Sequence, residues 1–186
     1  MSYLSDRDIL EGIMVGNIIC EPFSTFNLSN SSIDLRLGKT LIYQKPSSPD
    51  DYISFKIDEN GKLKVNNPAK TAKYDLTEKS FILKPGGFVL GAMLEKVGHI
   101  DDIIISDIRD KSTLARCGVS ICFNSGFIDV GNVLNVTLEI KNNGNLPIEL
   151  QYGQHICQIR FSRLSSPVMN KYNGKYLNST DTQVGV

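Results

Sequence analysis

Three groups of residues between positions 110 and 140 carry the side chains that acid–base chemistry on a bound anion requires. Ser112 lies between Lys111 and Arg116 in one short block, so a hydroxyl is flanked by two cations. Asp129 follows in a glycine-containing segment, and Glu139 lies in a strand-like run. Cations hold phosphate groups, and a carboxylate on a rigid strand can take up and return a proton. The segment therefore predicts a site that binds a phosphorylated compound and transfers protons.

The residues around Glu139 form two faces of one predicted strand. Apolar Val136, Leu138 and Ile140 alternate with polar Asn135, Thr137 and Glu139. Successive side chains of a strand point to opposite faces, so the polar three share one face. If that face lines a pocket, Glu139 can hold a water molecule and relay its proton, best with a pKa raised towards neutrality by burial. If it meets solvent, Glu139 is a surface residue, which spacing alone favours because Glu is seldom buried.

The composition describes one globular domain without a global preference for polyanions. The 186 residues are 41% hydrophobic and 22% charged, enough for one core and a single domain over residues 1–186. Lys and Arg together number 20, as do Asp and Glu, so we expect neither nucleic acid nor a membrane as a partner. No apolar run reaches the ~20 residues of a membrane span, and the sequence lacks both a C-x-x-C pair and a signal-peptide pattern. These features predict a reduced, soluble protein of the cytoplasm.

Short β-rich segments separated by turn residues dominate the chain after one helix. Ser5 and Asp8 form a capping pattern that predicts a short N-terminal helix. Ser32–Leu37 reads as a strand that stops at Gly38, and the Asn-Gly pair at 60–61 predicts a hairpin. Strands at this spacing, without regularly alternating helices, predict a mainly β protein built as a distorted antiparallel β-barrel or jelly-roll-like sandwich.

Motifs along nearly the whole chain resemble those of one family in the same order. They are Leu4–Ile9, Ile33–Gly38, Lys84–Gly91 (expected as a central hairpin), Lys111–Gly118, Phe127–Gly131, Leu138-Glu139, Gly153–Ile159 and Lys171–Tyr176. They are similar to motifs of the dCTP deaminase family, which belongs to a larger group with the trimeric dUTPases. The resemblance implies a dUTPase-like β-clip fold, assembled as a homotrimer or a pair of trimers with active sites at subunit boundaries. It also implies dCTP as substrate, with Mg²⁺ bound through the triphosphate and without zinc.

A deaminase without zinc needs a carboxylate that acts first as base and then as acid. Zinc deaminases hold the attacking water on a metal with an H-x-E and P-C-x-x-C layout. This sequence has only His99 and His155, and neither lies in such a layout. With the resemblance, we assign Glu139 as the catalytic carboxylate, Ser112 as the group that orients water or the base edge, and Arg116 as the group that stabilises charge at the ring. Without the resemblance, the simpler interpretation is favoured, in which Ser112 caps a helix or turn and Arg116 lies in a solvated loop.

The resemblance also nominates residues that bind the nucleotide. They are Lys111, Ser125, Asp129, Gln158, Tyr172, Lys175 and Ser179. Asp129 would accept the 3′-hydroxyl of the sugar, although an ordinary turn residue is an equal alternative. Lys111 would reach a phosphate group, and Gln158 a phosphate or its neighbours. Tyr172 and Lys175 would fold over the triphosphate as part of a lid formed by residues 167–186, a tail that alone reads as a frayed terminus.

Several positions depart from the family pattern and leave more than one activity open. Phe127 stands where many members have arginine, Val130 replaces the usual proline, and Ser179 lies where glutamine is frequent. The first expectation is a dCTP deaminase that yields dUTP and ammonia. One alternative is a bifunctional enzyme forming dUMP and pyrophosphate, or a dUTPase, with Asp129 activating water against the α-phosphate; Glu139 has no obvious purpose in a pure dUTPase. A nucleotide-binding regulator with weak catalysis is a further alternative.

Overall fold

The computed structural model describes residues 2–122 and 125–184, and strands are their main regular structure. The described helices are α1, Asp6–Met14, and α2, Ser112–Arg116, with a 3-10 turn at Thr25–Asn27. The described strands are β1 Ser2–Tyr3, β2 Ile18–Glu21, β3 Leu28–Ser29, β4 Ser32–Lys45, β5 Ser54–Ile57, β6 Leu63–Asn66, β7 Lys70–Asp75, β8 Phe81–Leu83, β9 Phe88–Met93, β10 Lys96–His99, β11 Ile104–Asp110, β12 Val119–Ser120, β13 Phe127–Ile128, β14 Val133–Leu134, β15 Thr137–Asn142, β16 Ile148–Leu150 and β17 His155–Arg163.

Helix α1 begins at the cap that the sequence predicts. The Asp8 carboxylate accepts from the backbone N–H of Ser5 at 3.0 Å, and the Ser5 hydroxyl accepts from the backbone N–H of Asp8 at 3.4 Å. These two bonds satisfy N–H groups that the first helical turn leaves unpaired. After the helix, Gly16 adopts a φ of 78°, a left-handed conformation that glycine takes without strain.

A curled antiparallel sheet of ten strands forms the body of the fold. Its order is β12-β15-β9-β4-β17-β11-β13, and β1, β3 and β7 pair at its sides. The long strand β4 pairs with β17 along its first part and with β9 and β7 along its second, so the sheet bends around one core. Fully buried side chains in that core include Leu35, Leu37, Leu41, Leu138, Ile140 and Phe161. The prediction of a mainly β fold with a short N-terminal helix is confirmed.

Strand β4 continues through Gly38, where the sequence predicts a break. The pairing of β4 with β9 shifts register between Leu37 and Leu41. A Cβ atom at Gly38 would lie 2.8 Å from the carbonyl oxygen of Ala92, so the close approach of two backbones requires glycine. The glycine marks an irregularity inside one long strand, and the predicted end of the strand was wrong.

Smaller sheets complete the architecture and decide two hairpin predictions. The Asn-Gly hairpin is confirmed, because β5 pairs with β6 around Gly61, which has a φ of 74°. The central hairpin expected within Lys84–Gly91 is wrong, because β8 pairs with β16 and β9 pairs with β4 and β15. The turn after β8 therefore moves the chain from a two-stranded sheet into the main sheet.

Two buried polar side chains fix the strands next to the cavity described below. The Glu95 carboxylate is 1% exposed and accepts from Arg36 Nε at 2.6 Å and from the Arg36 backbone N–H at 2.8 Å. Asn142, at the end of β15, is fully buried and donates from Nδ2 to the carbonyl oxygens of Leu83 and Leu146, both at 2.9 Å. Both groups are satisfied inside the fold, as buried polar atoms must be to avoid a desolvation penalty.

Candidate active site

A cavity of about 350 Å³ opens at the polar face of β15. Three parts of the chain form its walls: β15 with the residues before it, the segment 125–134, and the tail 172–183. The predicted site residues that line it are Ser125, Asp129, Glu139, Tyr172 and Ser179. The fold therefore brings half of the ten predicted residues together from parts of the sequence that are far apart.

Glu139 lies at the wall of this cavity and not on an open surface. On β15, Leu138 and Ile140 are fully buried, while Glu139 between them is half-buried on the opposite face. Glu139 pairs with Leu90 of β9 on one side and forms a bridge with Cys122 on the other. The pairing on both sides holds the carboxylate on a rigid part of the sheet, as a proton-transferring group requires. The alternation predicted from the sequence is confirmed; the catalytic role of Glu139 stays a prediction.

Asp110 supports the chain segment that runs beside Glu139. Its carboxylate accepts from the backbone N–H groups of Ile121 at 2.9 Å and Cys122 at 3.3 Å, and from the Ser120 hydroxyl at 3.4 Å. Burial, with the negative charges of Asp110 and Glu139, raises the pKa of the Cys122 thiol to about 12. The thiol beside Glu139 therefore stays neutral at physiological pH and does not act as a nucleophile.

Asp129 opens a tight turn at the cavity rim. The backbone N–H of Asn132 donates to the carbonyl oxygen of Asp129 at 3.2 Å, which closes the turn, and Gly131 has a φ of 85°. A Cβ atom at Gly131 would come within 2.8 Å of the Lys171 side chain, so glycine is needed for both conformation and space. The Asp129 side chain is exposed, and its predicted bond to the sugar stays a prediction.

The tail lies across the cavity and bonds to its walls. The backbone N–H of Tyr172 donates to the carbonyl oxygen of Val130 at 2.9 Å. The backbone N–H of Asn135 donates to the carbonyl oxygen of Ser179 at 2.8 Å. The described tail thus docks on its own subunit instead of fraying. Its closure over a triphosphate stays a prediction.

Lys111 and Gln158 meet a carboxylate away from this cavity. Lys111 Nζ lies 2.5 Å from one oxygen of Asp34, and Gln158 Nε2 donates to the other at 2.8 Å. Asp34 on β4 therefore joins β17 to the start of α2. Lys175 does not line the cavity, and its ammonium lies 5.5 Å from the centre of the Tyr176 ring. Phosphate contacts of these residues stay predictions.

Ser112 and Arg116 lie on α2, outside the cavity of their own subunit. Both are exposed, and α2 leads into β12, which pairs with the far end of β15 through Asn142. The backbone N–H of Asn143 donates to the carbonyl oxygen of Gly118, just after α2. Four residues separate Glu139 from that contact, or about 13 Å along a strand. Within one subunit, neither of the two predicted helix residues lines the cavity that contains Glu139.

Sequence reasoning missed further residues of the cavity wall. Asn132, Asn135, Thr137, Tyr176 and Gln183 line it as well. The alternating pattern of β15 was a signal for Asn135 and Thr137, because both share the face of Glu139. Gln183 carried no local signal, since it lies in an irregular tail whose position depends on tertiary contacts.

Two further features of the described residues concern metal binding and membrane-spanning helices. Among residues 2–122 and 125–184, no group of three or more His, Cys, Asp or Glu side chains is arranged to bind a metal ion. His99 is fully buried on β10, and His155 lies 3.1 Å from the Asn27 side chain through Nε2. No helix in the described part of the chain is long and apolar enough to cross a membrane.

The fold matches that of a solved nucleotide deaminase. The structure of 2′-deoxycytidine 5′-triphosphate deaminase from Agrobacterium tumefaciens aligns with a TM-score of 0.63 over 88% of this chain and 48% of that chain, at 20% identity. A model of the family described as dCTP deaminase-like matches residues 3–164. The protein belongs to this dCTP deaminase-like family.

Curated relatives define the subgroup that this chain resembles. A protein of Methanosphaera stadtmanae named dCTP deaminase, dUMP-forming, is 33% identical over 99% of this chain and 93% of its own length. A protein of Nocardioides with the same name is 39% identical over 93% of this chain and 86% of its own length. These names correct the expected product: the prediction that the reaction ends at dUTP was wrong.

Proposed function

We propose that the protein is a dUMP-forming dCTP deaminase. The observation that carries the proposal is one cavity in which Glu139 and Asp129, carboxylates on separate elements, face the same space. The names of the relatives that cover nearly the whole chain support the product. Two hydrolyses are needed: water replaces the amino group at C4 to release ammonia, and a second water attacks the α-phosphorus to release pyrophosphate.

In the first hydrolysis, Glu139 would take a proton from water as oxygen bonds to C4. The same carboxyl group then gives a proton to the amino nitrogen, and the C4–N bond breaks to release ammonia. One group can perform both transfers because the proton returns to the leaving group in the same half-reaction. The half-buried position of Glu139 between paired strands supports this role, because it holds the carboxylate still beside the base.

In the second hydrolysis, Asp129 would orient the water that attacks the α-phosphorus. A new oxygen–phosphorus bond forms as the bond between the α-phosphorus and its bridging oxygen breaks, and pyrophosphate leaves. The exposed side chain of Asp129 at the rim supports this assignment, since the phosphates must extend from the cavity towards solvent. The turn that begins at Asp129 also brings backbone N–H and carbonyl groups to the cavity rim.

We propose a homotrimer in which each cavity is completed by the α2 helix of a neighbour. Ser112 and Arg116 are exposed and lie beyond the end of β15, so their side chains are free to meet another subunit. Arg116 would then stabilise charge at the attacked ring, and Ser112 would orient the water. Because the proposed substrate is a free nucleotide, we place the enzyme in the cytoplasm.

Mg²⁺ would enter with the nucleotide, ligated by triphosphate oxygens, and would offset part of their negative charge. The carboxylate of Asp129 at the rim is a donor suited to such a hard cation. The base-side chemistry assigned to Glu139 does not depend on this ion.

Product analysis tests the proposal. The protein is incubated with dCTP and Mg²⁺, and ammonia, dUTP, dUMP and pyrophosphate are separated over time. We expect one ammonia and one pyrophosphate for each dUMP, and a loss of about 10²–10⁴-fold in deamination for Glu139→Gln with dCTP affinity retained. Glu149→Gln, at an exposed position on β16 outside the cavity, is the matched control and should keep wild-type rates. Unchanged dCTP despite binding contradicts the proposal and favours a regulator.

A further inference from the structure

Gln183 of the tail lines the same cavity as Glu139. Its backbone N–H donates to the Thr137 hydroxyl at 2.9 Å, and Thr137 precedes Glu139 by two residues on the same face of β15. Two residues of strand span about 7 Å, so the backbone of Gln183 is anchored about that far along the strand from Glu139. The next residue back, Thr182, is buried and donates through its hydroxyl to the Thr40 carbonyl oxygen at 3.1 Å. Gln183 therefore has a fixed backbone position.

Three carboxamides line the cavity, and they differ in how firmly the fold holds their side chains. Asn135 Nδ2 donates to two carbonyl oxygens, of Met93 and Leu94, both at 3.2 Å, which fixes its orientation. Asn132 Oδ1 accepts from the backbone N–H of Asn178 at 3.2 Å. Gln183 Nε2 makes one bond, at 3.1 Å, to the carbonyl oxygen of exposed Asp181, and Oε1 accepts none from the described residues. The amide of Gln183 is held by that single bond to an exposed residue, so turning it over costs one hydrogen bond.

A turning amide suits a substrate whose hydrogen bonding reverses during the reaction. Cytosine carries an amino group on C4, a donor, whereas uracil carries a carbonyl oxygen there, an acceptor. A glutamine presents both an acceptor, Oε1, and a donor, Nε2, and its terminal torsion has two broad minima related by a half turn. A carboxylate of the same shape only accepts, so it would bond the substrate and repel the deaminated intermediate.

We propose that Gln183 hydrogen-bonds the group on C4 through both steps and keeps dUTP in the cavity until it is cleaved. Oε1 accepts from the amino group of cytosine, and after deamination Nε2 donates to O4 of uracil. The inference rests on the proposed function, and it assigns Gln183 as a specificity residue that acts after the C4–N bond has broken. It also accounts for an amide in this tail when Ser179 stands where glutamine is frequent.

The test is the partition of product between released dUTP and dUMP. Gln183→Glu is compared with wild type and with Gln151→Glu, a matched charge change at an exposed position outside the cavity. We expect Gln183→Glu to keep KM for dCTP within about threefold. The share of released dUTP and the KM for added dUTP should both rise by about tenfold, because the bond to O4 of uracil is lost. Because the backbone of Gln183 makes the bond to Thr137, the substitution leaves that anchor in place.

Two further outcomes separate this inference from the proposed function. If wild type forms no dUMP from dCTP, the proposed function itself is refuted and the inference loses its basis. If wild type forms dUMP but Gln183→Glu partitions like Gln151→Glu, only the inference is refuted. Gln183→Ala tests for a purely structural role. If both variants of Gln183 slow deamination and cleavage equally, and neither releases more dUTP than wild type, the assignment is also overturned.

Discussion

Mixing two inactive variants tests whether each active site is shared between subunits. The structure places Glu139 in the cavity. Arg116 lies on α2, and Gly118, just after this helix, contacts Asn143 about 13 Å from Glu139 along the strand direction. We propose that Arg116 acts in the cavity of a neighbour. Glu139→Gln and Arg116→Ala therefore damage opposite halves of the site, and each should be inactive alone because every site of either homotrimer lacks one group.

The expected recovery follows from counting subunit arrangements. In trimers assembled at random from equal amounts of the two variants, a site works when its cavity comes from Arg116→Ala and its helix from Glu139→Gln. Each condition holds with a probability of one half, so about one quarter of the sites should be intact. The recovered rate should thus approach about 25% of the wild-type rate per site, against a background of at most about 1% for each variant alone.

The assay is ammonia release from dCTP after the variants are unfolded together, refolded together and checked for trimer content. The double variant, carrying both substitutions and refolded with wild type, is the matched control: shared sites leave about one quarter of the sites active, and unshared sites leave about one half. No recovery in the first mixture, with one half of the activity in the second, would refute the shared site and require Arg116 to reach Glu139 within one subunit.

Three further expectations concern stability. Burial of His99 on β10 lowers its pKa from 6.5 to about 4. Between pH 6.5 and pH 4 the unfolded chain binds a proton at this residue that the folded chain does not. His99 therefore costs no stability above pH 6.5, but the free energy of unfolding falls by about 3 kcal/mol as the pH falls to 4. Urea titrations at several pH values should show this fall in wild type and not in His99→Phe. Glu95→Ala should lose about 3–5 kcal/mol, because it leaves Arg36 unpaired at the edge of the core, measured by chemical unfolding against exposed Glu59→Ala. Asn142→Leu should lose about 3 kcal/mol by leaving buried carbonyl groups without donors, and an unchanged melting temperature would contradict that reasoning.

The parts of the site that sequence predicted are those governed by local periodicity. The two-residue repeat of β15 decides which side chains share a face, so the alternation alone places Glu139 opposite Leu138. The glycine close to Asp129 likewise indicated a turn, and the structure has one there, with Gly131 at a φ of 85°. Both inferences depend on a few adjacent residues and on strong steric rules.

The parts that sequence did not predict depend on contacts between distant segments. Gly38 reads as a strand end, but the backbone of Ala92 approaches it and the strand continues. Lys111 reads as a phosphate ligand, but within the subunit it meets Asp34, 77 residues away in the chain. Gln183 lies in a polar tail without periodicity, and bonds to distant residues, such as that of its backbone N–H to Thr137, bring it into the cavity. No local pattern encodes these approaches.

The product expected from sequence was wrong because the two possible reactions share their residues. Deamination and α-phosphate hydrolysis both need a held nucleotide, so the motifs that bind it do not distinguish the two products. In the proposed mechanism, Glu139 serves deamination whether or not cleavage follows, and retention of the deaminated intermediate by the tail would decide the product. That tail is anchored to the cavity wall at Val130, Asn135 and Thr137, close to both carboxylates. In the proposed function, retention by these few bonds, together with an amide that can bond either base, would allow dUMP to form from dCTP in one site without release of the intermediate.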